Sequence, residues 1–174
     1  MQRRPTGNQP RRLAALAALG ISLAFAWLAG CERAKPLING LAGFELGATT
    51  LAVVSGKALR CYTNPQTSTE RCFIRPATSI AGRVPDVQID FDGKTLQSTV
   101  AEITLTIPGC RFDSLASWLE DKLGKASNVG QKRAYWAQKL IFVAAEESSP
   151  ARCQVTAVKA DDKQRIAAIR GSTP

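Results

Sequence analysis

The chain contains no histidine. That removes Ser-His-Asp and Cys-His catalytic arrangements and the commonest side-chain metal ligand. It has no C-x₂-C pair either, which excludes zinc ribbons and thioredoxin-like redox motifs. What chemistry is left is sparse. Ser55 stands two residues before Lys57, but a lone S-x-K is a feeble nucleophile–base signal. Asp90 and Asp92 begin a calcium-loop pattern that Lys94 breaks where a third oxygen ligand is needed, so a hairpin turn is the better reading. Glu146 and Glu147 serve glycoside chemistry with Asp161 and Asp162 only if the fold gathers them, and Glu-Glu-Ser-Ser-Pro reads more simply as a polar loop. The expectation is a non-enzymatic protein with no metal, no cofactor and no small-molecule substrate.

Acidic residues are also missing from the first thirty-one positions, and this absence is informative. Arg3, Arg4, Arg11 and Arg12 precede an uncharged, mostly apolar run over 13–30. A basic head, an apolar run and a small-residue junction are the parts of a secretory signal, and the positive end stays on the cytoplasmic side. The junction Leu28-Ala29-Gly30-Cys31 resembles the lipobox of bacterial lipoproteins. That resemblance implies a diacylglyceryl group on Cys31, cleavage before it, and a mature protein held by three acyl chains, palmitate among the usual ones. Glu32 follows, rather than the aspartate that commonly retains such lipoproteins at the inner membrane. The resemblance therefore implies the outer membrane, facing the periplasm. Two other readings stay open. Ala24-Phe25-Ala26 offers an ordinary A-x-A cut that releases a soluble chain, and the run is near the lower length for an uncleaved span.

Removing residues 1–30 leaves 144, a single domain by size. Of the formal charge of +9, four positives go with the signal, leaving 19 basic against 14 acidic residues. The basic residues are scattered, with no run of the kind a nucleic-acid patch shows, so no nucleic-acid partner is expected. Besides Cys31, Cys61, Cys72, Cys110 and Cys153 remain, and an even number in an exported domain reads as two disulfides. Three pairings are open. Cys61–Cys72 with Cys110–Cys153 is favoured, stapling a hairpin and tying a helix start to a late strand. Chain entropy assigns about 3 kcal/mol to the short loop and about 4 kcal/mol to the long one.

Residues 31–40 form a polar tether, with Pro36 and Gly40 discouraging regular structure, and the domain spans 41–174. Within it, 44–58 aligns without gaps on 112–126, sharing Phe, Ala, Leu and a closing Gly-Lys-Ala. The repeat predicts a duplicated unit over about 44–111 and 112–174. Each copy starts with a helix ending at a glycine. Thr49 or Thr50 caps a short first helix stopped by Gly56. In the second, Phe112, Leu115, Leu119 and Leu123 share a face and Gly124 ends it. Strands are predicted over 58–63, 71–75, 86–91 and 96–107, then over 134–145 and 152–160. A closing helix over 160–170 has Ile166 and Ile169 inward. The alternation of Ile103, Leu105 and Ile107 with Glu102, Thr104 and Thr106 marks a strand buried on one face. The fold class is thus α+β: a two-layer sandwich, an antiparallel sheet with helices on one face, built from two tandem helix-plus-strands repeats.

The stretch LGATTLAVVSG resembles the G-M-T-x-x-x-V-x-x-x-L-G helix start of small envelope lipoproteins, with Ala48 where methionine is usual. Among these is the small lipoprotein subunit of the β-barrel assembly machine. The tandem arrangement is similar to that of secreted β-lactamase inhibitor proteins. Together they imply a lipid-anchored module at the membrane that binds an envelope protein. The alternative is an inhibitor of a cell-wall or antibiotic-cleaving enzyme, acting through the segment from Thr63 to Arg71. Tyr62, Tyr135 and Trp136 suit a recognition surface, where aromatics are enriched. Tyr135 and Trp136 are adjacent on a strand, so one must face away from the core, and that ring marks the expected partner surface.

Overall fold

A computed structural model of the chain describes residues 38–75 and 78–171. The signal segment, the lipobox, Cys31 and the tether up to residue 37 lie outside the described residues. A small hairpin opens the described part, β1 (Gly40–Leu41) against β2 (Phe44–Glu45). Helix α1 (Leu51–Ser55) follows, flanked by Thr50 and Gly56, and buries Leu51 and Val54. Four strands come next: β3 (Arg60–Asn64), β4 (Thr69–Ile74), β5 (Asp86–Phe91) and β6 (Val100–Pro108). Helix α2 (Phe112–Leu123) leads into four more: β7 (Asn128–Gly130), β8 (Arg133–Ala137), β9 (Ile141–Ser149) and β10 (Arg152–Lys159). Helix α3 (Lys163–Gly171) closes the described chain. No described helix is long and apolar enough to cross a membrane. The fold is α+β and mainly β.

All eight long-range strands join one antiparallel sheet in the order β3-β4-β5-β6-β10-β9-β8-β7. Two meanders thus meet where β6 pairs with β10, and each sheet edge is the first strand after a helix. Period-two alternation places Val87, Ile89, Ile103, Leu105, Ile107, Ala134, Trp136, Val143, Val155 and Ala157 on one face, the inner one. There they form one core with Leu51 and Val54 of α1 and with Phe112, Leu115, Leu119 and Leu123 of α2. The four α2 residues recur at helical spacing, which is why this amphipathic stretch lies on the sheet. Gly124 ends the helix at φ +82°, a conformation that a side chain disfavours, and its N–H donates to the Glu120 carbonyl at 2.7 Å.

Two disulfides tie these parts. Cys61–Cys72 bridges directly paired residues of β3 and β4, and Cys110–Cys153 fastens the start of α2 to β10. The second is almost wholly buried.

Several expectations are corrected. The helices do not share one face. Ile166 and Ile169 of α3 pack on Phe142, Ala144 and Val158, which point to the outer face. The physical reason is that β9 buries both of its sides, Ile141 through Ala145 without a break, so something must cover its outer row. The predicted strand over 134–145 is two strands with a tight turn at 138–140, closed by the Gln138 N–H on the Ile141 carbonyl at 2.9 Å. The long strand predicted from residue 96 begins at Val100 instead, because Asp92 holds the Thr99 N–H and hydroxyl, each at 2.7 Å, and shapes 92–99 into a loop.

Candidate functional site

Paired residues of antiparallel strands share a face, so the register maps the outer face row by row. One row runs Tyr62, Arg71, Asp90, Glu102, Val158, Phe142. The next runs Arg60, Phe73, Gln88, Thr104, Thr156, Ala144, Tyr135. A third runs Asp86, Thr106, Gln154, Glu146, Arg133. Each row is polar or mixed over β3–β6, and two of them turn apolar over β9 and β10.

Helix α3 sits on the apolar part. Besides its two isoleucines, it sets the Arg170 guanidinium 5.1 Å from the centre of the Phe142 ring. Arg165 reaches back to the Glu102 carboxylate at 2.5 Å. The Asp162 carboxylate accepts the Arg165 N–H at 3.0 Å, capping the helix. Among the described residues no helix packs over the outer face of β3–β6, apart from the reach of Arg165 to Glu102.

On that uncovered half the charges are ordered. Arg71 Nε donates to Asp90 Oδ1 at 2.5 Å, and Gln88 Nε2 to Asp90 Oδ2 at 2.9 Å. The bond from Asp90 holds the Arg71 guanidinium still further in its charged form. Asp90 itself is 5% exposed, so its charge is kept underground by these two donors. Burial pushes the Glu102 carboxyl above the ordinary glutamate range, against the opposing pull of Arg165 and with some help from the nearby Asp90 charge. Beside this network the Phe73 ring is the floor of a stack, with Tyr62 at 5.9 Å between centroids and the Arg60 guanidinium 4.6 Å above the ring. Leu59, Arg60, Phe73, Asp86, Thr106, Pro108 and Arg152 line an open groove of about 490 Å³ at one end of the half. Its lining sets two guanidiniums and one carboxylate beside an aromatic floor.

The residues singled out in the sequence fall in different places. Trp136 is 0% exposed, and its Nε1 donates to the Gly124 carbonyl at 3.0 Å, so it belongs to the core and leaves the expected partner surface. Tyr135 does point to the outer face, but it is stacked on Phe142 at 5.7 Å beside α3 and only half-exposed. The strand alternation that turns one ring out turns the other in, and the helix that covers Phe142 takes part of Tyr135 with it. Ser55 spends its hydroxyl on the Ala52 carbonyl at 3.3 Å, and Lys57 is exposed. Asp90 and Asp92 are both committed to protein donors. Glu146 pairs with Arg133, Glu147 with Lys132 at 2.8 Å, and neither faces Asp161 or Asp162 in any hydrogen bond among the described residues. Among the described residues no cluster of three or more acids or cysteines could hold a metal ion.

Of the stack of Arg60, Tyr62 and Phe73, only Tyr62 was singled out from the sequence. The stack's signal was present as Arg60 and Tyr62 two apart, flanking Cys61. Only the pairing of Cys61 with Cys72 brings Phe73 beneath them. Scans of protein-family models, of curated proteins and of solved structures found no match to this chain.

Proposed function

We propose that this chain is a lipid-anchored envelope protein, held through Cys31 at the periplasmic face of the outer membrane. Its domain binds another envelope protein and is not an enzyme. The observation that carries the reading is the half of the outer sheet face that no helix covers among the described residues, where Arg60, Tyr62 and Phe73 stack beside a groove. Tyrosine and arginine held in place on a rigid sheet are the side chains that contribute most at protein interfaces. Two disulfides suit an exported domain, and the lipobox supplies the anchor. No covalent group other than the lipid on Cys31, no small-molecule substrate and no nucleic acid enters this reading. The same reading includes a tandem duplication over about 44–111 and 112–174, each copy a four-stranded meander layered under its own helix. Gly56 and Gly124, matched by the gapless alignment, both stand at helix ends.

The test has two parts, made on cells producing the full chain. Intact mass of the membrane fraction should give a triacylated chain beginning at Cys31 that gains four hydrogens on reduction. A photo-crosslinking residue at Thr106, on the uncovered half, should trap an envelope protein, whereas one at the exposed Glu120 of α2 should not. An unlipidated chain beginning at Trp27 overturns the anchor, and equal trapping at both positions overturns the surface.

A second reading, inhibition of a cell-wall or antibiotic-cleaving enzyme, is favoured by one feature. The tip of the β3–β4 hairpin, 65–68, is fully exposed and braced by the Asn64 side chain on the Gln66 N–H at 3.0 Å, with Cys61–Cys72 behind it. A rigid, protruding loop fits a cleft. Inhibition of such a hydrolase by the soluble domain, lost when 65–68 is replaced by glycines, would favour this reading.

A further inference from the structure

The two edges of the sheet are built differently. Edge strand β7 is three residues long, all exposed, and ends in Gly130. Edge strand β3 is five residues long, keeps an unbroken register with β4, and contains neither proline nor lysine. Natural sheets blunt exposed edges with short strands, bulges, prolines or charged side chains, lysine above all, because the unpaired peptide groups invite another strand. On this criterion β7 is blunted and β3, protected by the single cation Arg60, is the more open edge.

Backbone geometry says which groups are on offer. Cys61 and Cys72 are direct partners with Cα atoms 4.1 Å apart, the spacing of a non-hydrogen-bonded antiparallel pair. The N–H and C=O of Cys61, and those of Thr63 two residues on, therefore point away from β4. Among the described residues neither peptide finds another hydrogen-bond partner. The disulfide holds the strand extended at that point, so little conformational entropy is lost when a second strand docks.

Charge selects what docks. Lys57 to Asn64, KALRCYTN, carries two cations and no acid. Arg60 has no carboxylate partner among the described residues; its guanidinium is held flat over Phe73, with Tyr62 against the same ring. The acid opposite Thr63, Glu70, is on the other face and accepts the Thr63 hydroxyl at 3.0 Å. Leu59 is 70% exposed and Tyr62 42%, so apolar surface stands beside the cation. A second copy of this strand would set cation near cation, whereas an acidic strand would not.

We propose that β3 is a strand-addition site: its free edge takes an extended, acidic segment of a partner protein, about five residues long, with a carboxylate beside Arg60 and an apolar side chain beside Tyr62. The inference rests on the protein-binding reading above and adds the mode of binding and the chemistry of the partner. Main-chain hydrogen bonds to Cys61 and Thr63 supply the registration, and Arg60 supplies the selection.

The probe is a symmetric acetylated heptapeptide, Thr-Glu-Thr-Val-Thr-Glu-Thr amide, with Thr-Lys-Thr-Val-Thr-Lys-Thr amide as its control. The protein is the full chain in detergent. The acidic peptide should slow hydrogen exchange at the Cys61 and Thr63 amides at least tenfold, and leave the β7 amides unchanged. Arg60→Glu should weaken that binding by about tenfold or more. Thr63→Pro, which removes an outward N–H at an edge that tolerates proline, should abolish it. Should T63P misfold, R60E alone carries the test. Equal binding of the two peptides, or protection elsewhere than β3, overturns the proposal. So does Arg60-dependent binding to phosphatidylglycerol vesicles without peptide protection, which would make the patch a lipid-headgroup site. In cells, a crosslink from Thr106 but none from Thr63 overturns the edge and leaves the protein-binding reading standing; adducts at neither position overturn both.

Discussion

Phe142 and Phe73 both point to the outer face of one sheet, yet their surroundings are opposite. Phe142 is 2% exposed, with Ile166 and Ile169 of α3 packed on its cluster and Arg170 across its ring. Phe73 is half-buried, with Arg60 and Tyr62 of the neighbouring strand against its ring. The two meanders have the same order of strands and meet at β6 and β10, so topology does not account for the difference. Side-chain chemistry does. Over β9 and β10 the outer row offers Phe142, Ala144 and Val158, and apolar surface of that extent must be covered. Over β4–β6 it offers Arg71, Gln88, Asp90, Glu102 and Thr104, which satisfy one another by hydrogen bonds and ion pairs and tolerate water. One half of the face is finished by the chain itself. The other carries no helix among the described residues.

The disulfides give the largest expected contrast. Cys110–Cys153 closes a longer loop and lies in the core, so Cys110→Ser with Cys153→Ser should cost about 4 kcal/mol, visible as a lowered urea midpoint. Cys61→Ser with Cys72→Ser should cost about 3 kcal/mol by the same loop arithmetic. The two losses should differ in kind as well. The first loosens α2 from β10, and the second frees β3, so only the second should raise hydrogen exchange at the β3 edge well above that of the rest of the sheet. Equal exchange at both edges after the second pair of substitutions would break the assignment of the staple to the open half.

The phenylalanines sharpen the comparison. Phe142→Ala removes a ring enclosed by α3 and should destabilise by about 3 kcal/mol. Phe73→Ala removes a ring with one open side and should cost about 1 kcal/mol in stability, while abolishing whatever binding the Arg60 stack supports. Thermal or urea unfolding measures both. If the two substitutions cost the same, the outer face is covered on both halves and the distinction fails.

Much of the frame was legible in the chain because it is locally encoded. Ile103, Leu105 and Ile107 alternate with polar neighbours and form β6 where the alternation says. Phe112, Leu115, Leu119 and Leu123 recur at helical spacing, and glycines stand at both helix ends. What was missed depends on both faces at once, or on pairing across the chain. The segment from Ile141 to Ala145 is apolar without alternation, and no glycine or proline marks the turn before it, so β8 and β9 read as a single strand. The same two-sided burial requires a cover but does not say which helix provides it. β7 was invisible because Asn128, Val129 and Gly130 bury nothing. The candidate site was least legible of all, since Arg60, Tyr62 and Phe73 meet only through the register of β3 on β4. The adjacent pair Tyr135 and Trp136 had the stronger local signal, and one of its rings is core while the other is partly under α3.

The smallest expected effect lies at the boundary between the halves, where Arg165 of α3 reaches Glu102 on β6. Burial outweighs that ion pair and raises the Glu102 carboxyl above its ordinary range, with the Asp90 charge acting in the same direction and the Thr104 hydroxyl opposing. A carboxyl whose folded-state pKa is raised binds its proton more tightly folded than unfolded. Its favourable contribution is therefore complete below the ordinary glutamate range and is lost as pH rises through the folded value. Glu102→Gln removes this titration. The stability of the wild type relative to E102Q should accordingly rise as pH is lowered from neutral through the glutamate range, in urea unfolding followed at several pH values. The opposite slope would mean that Arg165 outweighs burial at this site. The link from α3 to the sheet would then be held by charge, and the cover over Phe142 would owe as much to one ion pair as to its isoleucines.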